Sequence, residues 1–119
     1  MIKKLQNVYL AAPDVGKAVA FYRDVLGLNL RFQDGERWAQ FDAGGVSFAV
    51  AAVGEGTAVP GGGAVVVFEV EDLERALAEL RPRGVTVEGD IVDMGAHGRY
   101  VNIRDPFGNP LQLFQRAAS

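Results

Sequence analysis

The chain has 119 residues, a formal net charge of −3, one histidine and no cysteine. That length supports one independent core, and the missing cysteine removes disulfides, thiolate metal sites and cysteine nucleophiles, as suits a cytoplasmic protein. Arginines scattered among acids give no basic stripe for nucleic acid, and Lys3-Lys4 runs into polar Gln6-Asn7 rather than an apolar stretch, so neither a signal peptide nor a membrane span is expected.

Residues 6–12 alternate, with Val8, Leu10 and Ala12 on one side and Asn7, Tyr9 and Ala11 on the other, which predicts a strand covered on one face. Pro13-Asp14 opens a helix with Asp14 as its cap; Val15, Ala18, Val19, Tyr22, Val25 and Leu26 form its apolar stripe and Gly27 closes it. Short runs at 28–33, 37–43 and 46–52 follow, broken at Asp34-Gly35 and Gly44-Gly45, so the first half reads βαβββ. Residues 55–63 form a glycine-rich linker; its triple glycine leads into a strand, not a helix, and so makes a poor phosphate loop.

The pattern then returns at an offset of 58: Val8, Leu10, Ala12, Asp14, Val15, Ala18 and Val19 correspond to Val66, Phe68, Val70, Asp72, Leu73, Ala76 and Leu77. A strand over 64–70, a helix capped by Asp72 and ending at Pro82 and Gly84, and strands at 85–88 (extendable to 92), 99–104 and 110–114 make a second βαβββ unit. The expected fold is therefore α+β, a single domain of two tandem modules, 1–54 and 64–116. Each unit's helix covers one sheet face, and pairing the remaining faces gives an incomplete β-barrel around a cavity.

Alternation names the cavity lining. The first strand offers Asn7 and Tyr9, its counterpart Val65, Val67 and Glu69, and the last strand Gln112 and Phe114. Matching 38–41 to 100–103 adds Trp38, Gln40, Tyr100 and Asn102, with Phe48 as a further aromatic. Four amides among aromatic rings suit a small neutral or planar organic ligand; the bland alternative is that they satisfy one another in a closed core. His97, in a turn-like Gly95-Ala96-His97-Gly98, reads either as a proton-transfer group or as an exposed loop residue. Glu69 and Tyr100 are the other proton-transfer candidates.

Asn7-Val8-Tyr9-Leu10, residues 18–28 (AVAFYRDVLGL), residues 68–73 (FEVEDL) and residues 105–113 (DPFGNPLQL) together resemble the vicinal oxygen chelate superfamily of glyoxalase I, bleomycin- and fosfomycin-resistance proteins and extradiol dioxygenases. The resemblance spans nearly the whole chain and implies the fold named above. It also implies metal-ligand positions on the first, fourth, fifth and eighth strands, which here carry Asn7, Phe48, Val65 and Gln112; none is a histidine or a carboxylate. The expectation is accordingly a protein without metal or other cofactor that binds a small organic molecule, as bleomycin-resistance members sequester a drug. A lyase, isomerase or dioxygenase of the same frame and a closed assembly domain are the alternatives. The resemblance further implies a homodimer.

Overall fold

The computed structural model describes residues 1, 3–56 and 58–118. The chain separates into two compact units, Met1–Gly63 and Ala64–Ser119. In the first, strand β1 (Val8–Ala12) leads into helix α1 (Val15–Val19), which continues as π-helical turns over Ala20–Val25, then into strands β2 (Asn29–Asp34), β3 (Trp38–Asp42) and β4 (Ser47–Ala52). The second repeats this as β5 (Val66–Glu69), α2 (Leu73–Leu80), β6 (Thr86–Asp93), β7 (Arg99–Arg104) and β8 (Pro110–Gln115). Sheet orders are β1-β4-β3-β2 and β5-β8-β7-β6. In each sheet the first strand runs parallel to the last and the remaining pairs are antiparallel. The fold is thus α+β with two tandem βαβββ modules. Among the described residues no helix is long and apolar enough to cross a membrane.

Both helices begin as the sequence dictates. The side chain of Asp14 accepts from the Lys17 amide and that of Asp72 from the Arg75 amide, satisfying a donor that helix geometry leaves unpaired. Leu73, Leu77 and Leu80 recur on one face of α2 and are buried, and Gly84, at φ +83°, ends the following 3-10 turn. The first helix departs from the expected α-helical stripe. The Leu26 amide donates to the Phe21 carbonyl five residues back, so the helix widens and its inward face rotates. Phe21 is buried, its ring edge-on to Tyr22 with centroids 5.0 Å apart, while Val25 and Leu26 are only half-buried.

Tyr22 is fully buried against the sheet, 4.9 Å from the Phe48 ring and 5.9 Å from that of Phe41. Burying side chains of this size stabilises the module by about 1.5–3 kcal/mol each. Phe48 therefore belongs to the helix-covered core, not to the opposite face on which the sequence reading placed it as a further aromatic. That face of β4 presents Ser47, Ala49 and Ala51 instead.

Strand ends shift by a residue or two: β5 is confined to Val66–Glu69, leaving Val65 outside it, and β6 runs through to Asp93. Each outer strand carries an irregularity. Leu30 pairs with Phe41 but Phe32 with Gln40, so the extra residue Arg31 sends Leu30 and Phe32 to opposite faces. In β6 the register slips between Glu88 and Val92, where Gly89 takes φ +75°.

The turn joining β7 to β8 is closed by a buried pair. One carboxylate oxygen of Asp105 accepts the Phe107 and Asn109 amides at 2.9 and 2.8 Å, and the other accepts the Asn109 side-chain N–H at 2.8 Å. At the other end of this sheet, Arg99 binds Glu74 of α2 through two nitrogens, 2.6 and 2.9 Å. The Gln115 side-chain oxygen accepts from both Arg99 and the Leu73 amide at 2.8 Å, tying the start of α2 to β7 and β8.

Two outcomes follow. Asp105→Ala removes at least three hydrogen bonds to a buried carboxylate, so chemical denaturation should show a loss of about 2–4 kcal/mol. The Arg99 side chain holds Glu74 down at about 2, from 4.5. Because the folded-state value is the lower one, that stabilisation is complete above about pH 4.5 and is lost as pH falls towards 2. The gap in melting temperature between wild type and Glu74→Gln should therefore be widest near neutrality and close over that window.

Candidate functional site

In each module the helix occupies one sheet face, so the side chains available for recognition are those pointing the other way. In the first module this face carries Tyr9 on β1, Ala49 and Ala51 on β4, Trp38 and Gln40 on β3, and Phe32 on β2. Strands β1 and β3 are not neighbours; β4 lies between them, which separates their backbones by roughly 10 Å. Nevertheless the Tyr9 and Trp38 rings meet at 5.2 Å, tilted by 51°. They lean across β4, and only the small side chains of Ala49 and Ala51 allow it.

The Trp38 indole N–H donates to Gln40 Oε1 at 3.2 Å, and Gln40 Nε2 reaches Ser47 Oγ at 3.5 Å. Gln40 thus spends its amide on fixing the indole, a use that strand alternation does not reveal. Gly56, in the loop after β4, lies against the Tyr9 hydroxyl so closely that any side chain there would collide with it. Asn7 precedes β1 and is half-buried.

The second module has the same topology with different side chains. Across its helix-free face one row reads Val67, Gln112, Asn102, Glu88 and the next Glu69, Phe114, Tyr100, Val92. Asn102 and Gln112 sit opposite one another, half-buried, and among the described residues neither side-chain amide has a hydrogen-bond partner. Two ion pairs flank these rows. Glu69 binds Arg116 at 3.0 Å, and Arg104 binds Glu88 through Nε while its Nη1 donates to the Gly108 carbonyl at 2.9 Å. At Gly98, buried at φ +92°, any side chain would collide with the Gln115 carbonyl and the Phe114 ring.

The proton-transfer candidates are spread apart in character. His97 ends an exposed 3-10 turn, Gly95–His97; Glu69 is taken by Arg116; Tyr100 is half-buried beside Phe114. Reading the sequence missed Phe32, Ser47, Glu88 and Arg104. Phe32 and Glu88 lie on irregular outer strands whose facing no alternation rule predicts, while Arg104 continues the Asn102 side of β7 and was legible by parity.

At the metal-ligand positions implied by the resemblance the structure offers few donors. Phe48 is in the core, and the residues of β4 that face the other way offer at most the Ser47 hydroxyl. Val65 has no lone pair, and Asn7 and Gln112 are neutral amides. Among the described residues no three His, Cys, Asp or Glu side chains are grouped to hold an ion. This donor set does not fit a transition-metal centre.

The Glyoxalase/Bleomycin resistance protein/Dioxygenase superfamily model matches residues 4–113. An uncharacterized protein of Mycolicibacterium smegmatis is 30% identical over 112 residues, covering 93% of this chain and 92% of its own. TnmS3, an antibiotic binding protein from Streptomyces sp. CB03234, superposes with a TM-score of 0.78 at 28% identity, over 98% of both chains. The genomically encoded fosfomycin resistance protein FosX of Listeria monocytogenes, solved with Mn(II) and sulfate, shares the fold, with a TM-score of 0.78 at 15% identity, covering 98% of this chain and 93% of its own. With two βαβββ modules and a family match along nearly its whole length, the chain belongs to the Glyoxalase/Bleomycin resistance protein/Dioxygenase superfamily.

Proposed function

We propose that this protein binds a small, largely neutral or aromatic organic molecule without a metal, as a sequestering or metabolite-binding member of its superfamily, and acts as a homodimer. The observation that carries the reading is the Asn102–Gln112 pair: two amides side by side, unpartnered among the described residues, on a sheet face that the helix leaves alone. Half-buried amides left without partners cost free energy that a ligand's carbonyl or hydroxyl recovers. Val67, Tyr100 and Phe114 lie on the same face of the second module, with Val65 just before its first strand, and complete the binding residues there. On the first module's own helix-free face Tyr9 and Trp38 supply flat apolar surface, with the indole held by Gln40, and Asn7 lies just before the strand of Tyr9. Likeness to the antibiotic binding protein TnmS3 at 28% identity supports it.

Trp38 is the sole tryptophan, so its emission reports on the face that carries it. Titration with a panel of polycyclic aromatic natural products, chelator present, should give saturable quenching and a raised melting temperature. Replacing Asn102 and Gln112 together by leucine should weaken binding to the second module's face, read by the rise in melting temperature, by at least about tenfold. Ala51→Leu, which forces the two rings apart, should reduce the quenching. If no compound moves either signal, or if binding vanishes with chelator and returns with added metal, the reading fails.

A further inference from the structure

We propose that Arg104 is an oxyanion-recognition residue, so that the preferred ligand is an aromatic molecule bearing one acidic substituent such as a carboxylate or sulfonate. This deepens the binding reading above and rests on it. Asn102 and Arg104 are two apart on β7 and so point to the same side of the sheet, and Gln112 lies directly opposite Asn102 on β8. The two free amides and the guanidinium are therefore contiguous on one helix-free face.

Arg104 is held rather than floating. Its Nε binds Glu88 on the neighbouring strand and its Nη1 binds the Gly108 carbonyl of the β7–β8 turn. A guanidinium has five N–H groups. These two contacts use one on Nε and one on Nη1, and none of the hydrogen bonds found for Arg104 uses Nη2. The side chain is 38% exposed, which leaves those hydrogens within reach of a ligand. A pinned guanidinium loses less rotamer freedom on accepting an anion than a free one does, and the adjacent amide N–H groups extend the donor surface. Glu88 restrains the site in two ways: it orients Arg104 and partly neutralises it. Removing the Glu88 charge should therefore favour an anion.

Two probes that share one aromatic frame separate the contributions. Phenylnaphthylamine is neutral, and anilinonaphthalene sulfonate is the same skeleton with a sulfonate added. The wild-type protein should bind the sulfonate at least about tenfold more tightly by fluorescence titration at low salt. Arg104→Met should remove that preference and leave phenylnaphthylamine affinity unchanged. Glu88→Gln should increase the preference, and Arg75→Met, on the exposed side of α2, should alter neither probe. Equal affinity of wild type for the two probes, or an Arg104→Met loss that falls on both alike, overturns the oxyanion assignment while ligand binding stands. Binding of neither probe overturns both.

Discussion

Every residue of a strand is committed to one of two faces, and in each module the helix claims one of them; the chemistry of the rest follows from that allotment. Tyr22, wedged against Phe41 and Phe48, and Leu73, Leu77 and Leu80 of α2 use up the apolar set on the claimed side. What remains on the other side carries a composition that folding alone does not explain: an indole, phenols and amides, two of them without partners among the described residues. The alternation that stabilises the sheets thus also selects which side chains are free for recognition.

That same alternation explains how far the sequence could be read. The repeat, the Asp14 and Asp72 caps and the turn at 105–110 are local or periodic signals, and each corresponds to a short-range hydrogen bond in the structure: Asp14 to Lys17, Asp72 to Arg75, Asp105 to Asn109. The helix-covered and helix-free sides of β1, β3, β7 and β8 were legible because those strands keep a period of two. Where the period breaks, legibility ends. The extra residue at Arg31 turns Phe32 to the side of Gln40, and the slip after Glu88 does the same kind of thing in β6. Strand β4, apolar on both sides from Phe48 to Ala52, gave no contrast from which to choose a face, so Phe48 was placed on the wrong one. The π-helical turns after Val19 similarly bring Phe21 inward in place of Val25 and Leu26.

The two modules share topology yet distribute bulk differently. Ala49 and Ala51 on β4 correspond in pairing to Gln112 and Phe114 on β8. In the first module the central strand is therefore low, and large rings from the strands on either side reach over it. In the second the central strand itself carries the bulk, and charged pairs stand at its flanks, Glu69 with Arg116 and Glu88 with Arg104. One frame thus yields an uncharged aromatic surface and a donor-rich polar one.

The residue at 112 shows how charge and burial are matched on this face. A half-buried carboxylate is tolerable beside a cation, but without one its desolvation is uncompensated. Gln112 is neutral and carries no such cost, and Val65 offers no lone pair. Asn102, opposite Gln112, is a second neutral donor and acceptor. A surface built to surround a metal ion would concentrate negative charge at this point. This one instead sets two neutral amides beside an arginine that is itself paired with Glu88, a face rich in N–H donors.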